Sequence, residues 1–300
     1  MSLTVRPARP EDRAAVAAIS AQIWEGEDYI PEVFDDWVAD PRGEFSLFFK
    51  GDELVAFGKL TELWEGEWWL EGLRVDPAHQ GRGIARHAHD YAVALADRVG
   101  SGVLRFATSD HNVAVHRLAE QSGFEQIASF VMARAEAQAG SGAERFRPVS
   151  ATALPAVRAW LQRAAAYIAA GGLVEEWWSW QALLPELPRF VQERRLLWWD
   201  NGHDLHAGLV AYSEGDESNG EQERFWVNLA AAEDERLPQL WRELCELAEA
   251  RGASSLRARP ANTARVAEAL TAAGWEVEPD HVMRVYARPL PRPARLTETV

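Results

Sequence analysis

Cysteine is nearly absent from this sequence: Cys245 is the one thiol in 300 residues. A lone thiol cannot close an intrachain disulfide and has no second cysteine with which to share a metal. Disulfide-stapled scaffolds and zinc ribbons are excluded, and a reducing, cytoplasmic setting is expected. Leu240, Leu244 and Leu247 surround Cys245 at helical spacing, so it reads as core filling rather than as a nucleophile. Long apolar runs are missing too. No stretch of 18 or more apolar residues is present, so no membrane span is expected. The opening Met-Ser-Leu-Thr-Val-Arg-Pro enters a strand pattern without the apolar core of a secretory signal. Positive charge is in deficit, with 31 Lys and Arg against 46 Asp and Glu and a net charge of −15. No dense basic stripe exists to neutralise phosphates, and nucleic acid is not expected as a partner. Such a field favours a cationic amine.

What is present is a globular composition, 47% apolar and 26% charged, over a length that suggests two domains with sizeable cores. Tryptophan is abundant, with 14 in all and pairs at Trp68-Trp69, Trp177-Trp178 and Trp198-Trp199. Neighbours on a strand face opposite ways, so each pair is expected to place one ring in the core and one on the other face. The rings serve either packing or an aromatic wall for an acceptor.

Residues 75 to 86, Val-Asp-Pro-Ala-His-Gln-Gly-Arg-Gly-Ile-Ala-Arg, run from a strand end through a glycine-bearing loop into an amphipathic helix. Trp68 to Val75 has the aromatic and branched content of a strand. Ile84, Ala88, Tyr91 and Leu95 recur at helical spacing. Gly81 and Gly83 let the backbone approach a ligand closely and turn successive N–H groups outward. With the unpaired donors and the dipole of the helix start, these groups form a cradle for phosphate or pyrophosphate, to which Arg82 and Arg86 add charge. The loop lacks the Lys-Ser/Thr ending of a P-loop and the third glycine of a dinucleotide fingerprint.

Gln80-Gly81-Arg82-Gly83-Ile84-Ala85, preceded by Val75-Asp76-Pro77, resembles the Gln/Arg-x-x-Gly-x-Gly/Ala motif of the GNAT superfamily of acyl-CoA-dependent N-acyltransferases. Arg6-Pro7-Ala8-Arg9-Pro10-Glu11-Asp12 resembles that family's first strand and entry to its first helix. Asn112, followed by Gly123-Phe124, resembles its last helix. The resemblance covers roughly residues 3 to 136. It implies acetyl-CoA as co-substrate, held by Gln80, Gly81, Arg82, Gly83, Ile84, Ala85 and Asn112. It further implies that the strand end Leu73-Arg74-Val75 splays from its neighbour, freeing backbone N–H groups for the pantetheine arm and the acyl carbonyl.

A small, polar segment at 137–144 reads as a linker, giving domains at 1–136 and 145–300. The pattern then begins again. Val103-Leu104-Arg105-Phe106-Ala107, Asn112 and Gly123-Phe124 are answered by Ser255-Leu256-Arg257-Ala258-Arg259, Asn262 and Gly274-Trp275. The expected fold is therefore α/β, two tandem GNAT folds, each a mixed, mostly antiparallel sheet flanked by helices. In the first, strands are expected near 3–7, 45–50, 53–63, 67–75, 103–108 and 127–135, with helices near 11–24, 31–39, 83–99 and 112–122. The second copy lacks the glycine loop: Leu229 to Arg236 has no glycine and three acidic residues, so it is not expected to bind CoA. Glu214 to Gln222 reads as a long acidic hairpin loop.

Acyl transfer to an amine needs a base for the amine, stabilisation of the developing oxyanion, and departure of the CoA thiolate. Glu71 is the candidate base, since it shares strand parity with Leu73 and Val75 and is flanked by apolar residues that raise a carboxyl pKa. Its other role would be structural or in acceptor recognition, with Glu65, Glu67, Glu25, Glu27 and Asp28 as fallbacks. The family's general-acid tyrosine falls seven residues after the asparagine, at Ala119, so His116, one turn earlier, is the candidate replacement beside a plain packing role. His79, His87, His89, His111, His203 and His206 form no spaced cluster, and no metal is expected. The reading is thus a cytoplasmic N-acetyltransferase, a monomer or homodimer, acting on a small-molecule or peptide amine. A non-catalytic acyl-CoA sensor is the rival. Mycothiol synthase is similar in tandem architecture, but its active copy is the C-terminal one.

Overall fold

Short apolar stretches ending at proline or glycine, followed by helical periodicity, become alternating strands and helices in the computed structural model. It describes residues 3–200, 202, 206–214 and 224–291. His203 and all of the acidic hairpin except Glu214 lie outside the described residues. The chain forms two units.

Unit 1 contains β1 (Thr4–Pro7), α1 (Arg13–Ser20), α2 (Ile30–Ala39), β2 (Gly43–Lys50), β3 (Glu53–Trp64), β4 (Glu67–Val75), α3 (Ile84–Val99), most of β5 (Gly102–Ser109) and α4 (Val113–Gln121). The sheet order is β1-β2-β3-β4-β5. The first three pairings are antiparallel, β1–β2 across α1 and α2 and β2–β3 and β3–β4 through hairpins, whereas β5 returns through α3 and pairs with β4 in parallel. Both faces are covered. Val16, Ile19, Ile30 and Phe34 pack on Phe45, Leu47 and Phe57 on one side. On the other, Val93, Leu95 and Ala96 of α3 and Ala119 of α4 pack on Leu60, Trp68, Leu104 and Phe106.

The first helix is shorter than expected. It ends at Ser20, and Trp24 (φ 46°), Glu25 (φ 60°) and Gly26 (φ 97°) follow in left-handed backbone. A left-handed conformation costs a non-glycine residue about 1–2 kcal/mol. Asp28, ion-paired to Arg74 of β4 at 2.8 Å, ties this loop down.

Unit 2 contains β6 (Glu125–Glu136), β7 (Phe146–Pro148), α5 (Leu154–Leu161), α6 (Ala165–Ala169), β8 (Leu173–Glu176), β9 (Ser179–Ala182), α7 (Leu183–Gln192), β10 (Leu196–Trp199), β11 (Gly208–Glu214), β12 (Arg224–Ala232), α8 (Leu237–Ala250), β13 (Ser255–Ala258), α9 (Ala264–Ala272) and most of β14 (Glu276–Leu290). Its sheet runs β14-β6-β13-β12-β11-β10-β7, with β8-β9 a separate hairpin. Both units are therefore mixed α/β layers with mostly antiparallel sheets. Cys245 is buried in the core beside α8, as its leucine neighbours implied. Among the described residues no helix is long and apolar enough to cross a membrane.

The units do not divide at 136/137. From Gln126 onward β6 belongs to unit 2, where it pairs with β13, and the chain from Tyr286 belongs to unit 1. The segment expected as a linker is docked. Gln138 N–H donates to Cys245 O (3.1 Å) and Gly142 N–H to Glu246 Oε2 (2.6 Å). A Cβ on Gly142 would sit 2.7 Å from Glu243 Cγ, so this glycine serves close backbone approach rather than flexibility.

The tryptophan pairs divide by backbone. Trp198 and Trp199 face opposite ways into different cores, and both are buried because helices cover both faces of the sheet. Trp68 and Trp69 are likewise both buried. Trp177 and Trp178 occupy a hairpin turn rather than a strand and are both exposed.

Candidate functional site

The site begins with one irregularity in β4. Glu71 opposes Lys59 and Arg74 opposes Phe57, so Gly72 and Leu73 together face the single residue Gly58. This is a bulge, and Gly72 adopts φ +64°, which favours glycine. The expected parity of Glu71 with Leu73 and Val75 is therefore overturned: the extra residue moves Leu73 and Val75 to the α3 side, where they pack with Ile84 and Ala88. Glu71 and Arg74 share the opposite face, beside α2 and the loop before it.

The parallel ladder between β4 and β5 stops at Trp69↔Arg105. Beyond it the two strands fork, and the β5-facing backbone edge of residues 70–75 has no partner in the β4–β5 ladder. A ligand strand or arm can occupy such an edge.

At the end of β4 the chain turns through Gln80, whose Nε2 lies 3.5 Å from Val75 O, and through Gly81 (φ +72°) to Gly83 (φ +78°), the N-cap of α3. No side chain caps the first turn of α3. A Cβ built on either glycine would meet nothing within 4 Å, so open space lies beside both. Ile84 is buried and anchors the helix start, while Arg82 is exposed. Arg86 is less mobile than expected, because it donates to Gln121 Oε1 on α4 at 2.8 Å. Cradle and fork together fit a pyrophosphate followed by an extended arm.

Glu71 accepts a hydrogen bond from the Thr61 hydroxyl at 2.9 Å. Burial raises its carboxyl above the ordinary value of 4.5, outweighing the Thr61 bond and the Lys59 charge. Lys59 is itself buried, with Nζ 2.8 Å from Asp40 Oδ2. Burial would raise Asp40 as well, but the Lys59 ammonium and the Arg42 N–H hold it below its usual range. Around Glu71 stand Tyr29, whose hydroxyl is pushed up to about 12 by burial and by the Glu71 charge, and Trp37, edge-on to Tyr29 at 6.1 Å. Arg74 lies 4.3 Å from the ring centroid of Trp24, which is 61% exposed. The result is a carboxylate behind an aromatic mouth.

Of the fallback carboxylates, Glu25 and Glu27 are exposed in the loop before α2, beside Arg74, and the others are elsewhere or occupied. Glu67 is ion-paired to Arg105, Asp28 to Arg74, and Glu65 sits in the turn at the other end of β4. Asn112 caps α4, its Oδ1 accepting from Val115 N–H at 3.3 Å. Ala119 is fully buried, so the family's tyrosine position faces the core. His116 Nδ1 instead meets the hydroxyl of Tyr286, at the end of β14, at 3.0 Å. Sequence reasoning missed Tyr286, Tyr29 and the Gly72 bulge. A glycine inside an aromatic strand was the available signal for the last. Among the described residues no three His, Cys, Asp or Glu side chains are grouped to hold a metal ion.

Bulged strand, fork and glycine cradle are the parts of an acetyltransferase of the GNAT family, and that family's sequence pattern matches residues 13–124. This part of the chain is a GNAT acetyltransferase domain. The chain is 34% identical over 79 residues to histidine N-acetyltransferase of Oreochromis niloticus, covering 26% of this chain and 23% of that protein. It is 28% identical over 120 residues to the N-alpha-acetyltransferase RimI of Mycobacterium tuberculosis, covering 39% and 74%. The first of these matches thus spans about a quarter of the relative's length. Over the whole chain the fold is shared with a GCN5-related N-acetyltransferase from Sphaerobacter thermophilus, at 15% identity, TM-score 0.62 and 97% coverage of both chains.

Proposed function

We propose that the protein is an N-acetyltransferase that moves an acetyl group from acetyl-CoA to an amine, with its site in unit 1. The observation that carries this reading is the placement of Glu71 on the same bulged strand whose free edge leads into the glycine cradle. Gln80, Gly81, Arg82, Gly83, Ile84 and Ala85 would hold the pyrophosphate, and the backbone of Leu73, Arg74 and Val75 the pantetheine arm and the acyl carbonyl. Acetyl-CoA supplies an activated thioester. Glu71, with its raised affinity for a proton, accepts one from the amine as the C–N bond forms and the C–S bond breaks. The departing thiolate takes a proton from water or from the His116–Tyr286 pair. The acceptor is a small-molecule or peptide amine, and the two relatives named above support both classes. The protein works in the cytoplasm.

Unit 2 is inferred to be a degenerate second copy. β12 pairs antiparallel with β11 and, across α8, parallel with β13, as β4 does with β3 and β5. Its helix start is unsuited to pyrophosphate: Glu233, Asp234 and Glu235 precede α8, Pro238 removes a donor, and Leu237 N–H donates to Glu233 O. One CoA per chain is expected.

The buried Ala119 favours a second reading, a non-catalytic acyl-CoA sensor. Mass spectrometry of products from acetyl-CoA and a mixed amine library separates the two, since a sensor yields no acetylated amine. Calorimetry giving two equivalent CoA sites per chain would refute the assignment of unit 2.

A further inference from the structure

The face of β3 that looks toward α1 and α2 changes character along its length. Phe57 belongs to the apolar core there, and the next two residues on that face, Lys59 and Thr61, are polar yet only 2% and 8% exposed. Burying a polar group costs free energy unless it is bonded. Packing alone would be served as well by valine at 61, which shares the branched shape that suits a strand.

Both polar groups stand beside Glu71. Lys59 is its cross-strand neighbour, but Nζ donates to Asp40 Oδ2 at 2.8 Å and to Leu60 O at 3.2 Å, so that charge is balanced elsewhere. Thr61 donates its hydroxyl to Glu71 Oε1 at 2.9 Å. Oε2 of the half-buried Glu71 has no hydrogen-bond partner among the described residues, yet it is not sealed from solvent. The other charged and titratable groups on the packed elements are committed. Asp40, just after α2, also accepts from Arg42 N–H at 3.0 Å. Asp28, in the loop before α2, pairs with Arg74 of β4, and Tyr29 holds its proton up to about 12.

A hydroxyl suits this place because it can donate to an ionised carboxylate and turn to accept from a protonated one, so the contact survives proton uptake. We propose, resting on the reading of Glu71 as the base, that Thr61 is its positioning residue: the hydroxyl pins Oε1, so that Oε2 meets the attacking amine. The N–H bond of the amine then breaks as an O–H bond forms on Oε2, and no proton passes through Thr61. By favouring the ionised form, the same bond holds the carboxyl below the level that burial alone would set.

The test follows the Glu71 carboxyl carbon by NMR in the full chain, 13C-labelled at glutamate and assigned with Glu71→Gln. In parallel, thiol release from acetyl-CoA is measured against pH with the amine most acetylated in the mixed library. Thr61→Val, which nearly keeps the shape and drops the hydroxyl, should raise the Glu71 midpoint by about one pH unit, as loss of a hydrogen bond to a charged group implies. The rising limb of kcat should move with it and the plateau should fall severalfold, with acetyl-CoA affinity unchanged. Thr61→Ser should restore midpoint, limb and plateau. An unmoved midpoint, an untouched plateau or a failure of serine to restore them overturns the role of Thr61 and leaves Glu71 as the base. A midpoint that moves while the rate limb stays in place overturns Glu71 as the base and, with it, any part for Thr61 in the reaction. Should the valine variant not fold, Thr61→Ala takes its place with the same expectations.

Discussion

The hydroxyl of Tyr286 lies 3.0 Å from Nδ1 of His116, two residues 170 positions apart in the chain. Tyr286 is stacked on Phe106 at 5.4 Å, so the hydroxyl is held in place from below. A phenol thus reaches α4 from another strand, although the α4 position that carries tyrosine in the family is a buried alanine. If this pair protonates the departing thiolate, His116→Ala and Tyr286→Phe should each lower kcat about tenfold or more without weakening acetyl-CoA binding. Full turnover in both variants would assign the pair to packing alone.

Glu71→Gln is expected to lower kcat by about a hundredfold or more, the usual contribution of a positioned base, with acetyl-CoA affinity nearly unchanged. Because burial raises this carboxyl, the wild-type rate should climb with pH through a midpoint above 4.5 as Glu71 sheds its proton, and the variant should lose that limb. A raised acceptor KM with kcat preserved would make Glu71 a recognition residue.

Gly83→Val should abolish cofactor binding in a folded protein. The position has open space around it, so the cost to the fold is the left-handed backbone alone, about 1–2 kcal/mol. The side chain would stand where the pyrophosphate approaches. Calorimetric titration with CoA, beside a circular dichroism melt, reads both effects.

Gly72→Ala tests the bulge. Its Cβ would fall 2.4 Å from Trp37 Cη2 at a φ of +64°, so either the indole shifts or the bulge slips. A slip of one residue would turn Glu71 and Arg74 to opposite faces. Expected are a loss of about 1–3 kcal/mol in unfolding free energy and a fall in kcat exceeding any change in CoA affinity. Unaltered activity would separate the bulge from the chemistry.

Buried His89, whose Nε2 lies 3.0 Å from Ser122 Oγ, is held below its ordinary pKa of 6.5 by burial. The unfolded chain therefore binds a proton near that pH that the folded chain refuses, and stability falls as pH drops below 6.5. Denaturant midpoints at about pH 7.5 and about pH 5.5 should differ more for the wild type than for His89→Gln, which removes this group from the titration. Equal pH dependence would exclude the effect.

Local patterns carried most of unit 1. Aromatic and branched runs marked β2, β3 and β4 to within two residues, and Gly81 and Gly83 marked the left-handed turn into α3, because each depends on residues close in sequence. Reading failed where distant parts meet. The glycines at 140 and 142 looked like a linker, yet they lie against α8, more than 90 residues on. Tyr286 was invisible as a partner of His116 for the same reason. The face of Glu71 was misassigned because strict alternation ignores a bulge, although Gly72 stood in the sequence to announce one.

Unit 1 is assembled from three pieces of chain, the last beginning at Tyr286. Tyr286 and Leu290 fill its core beside Phe106 and Phe124, so the layer that holds the cradle is unfinished until the end of β14 has been made. A growing polypeptide therefore carries the cofactor residues long before it can use them. Competence arrives with the final strand, and a truncation just short of residue 286 would disable a site whose other residues end at 116.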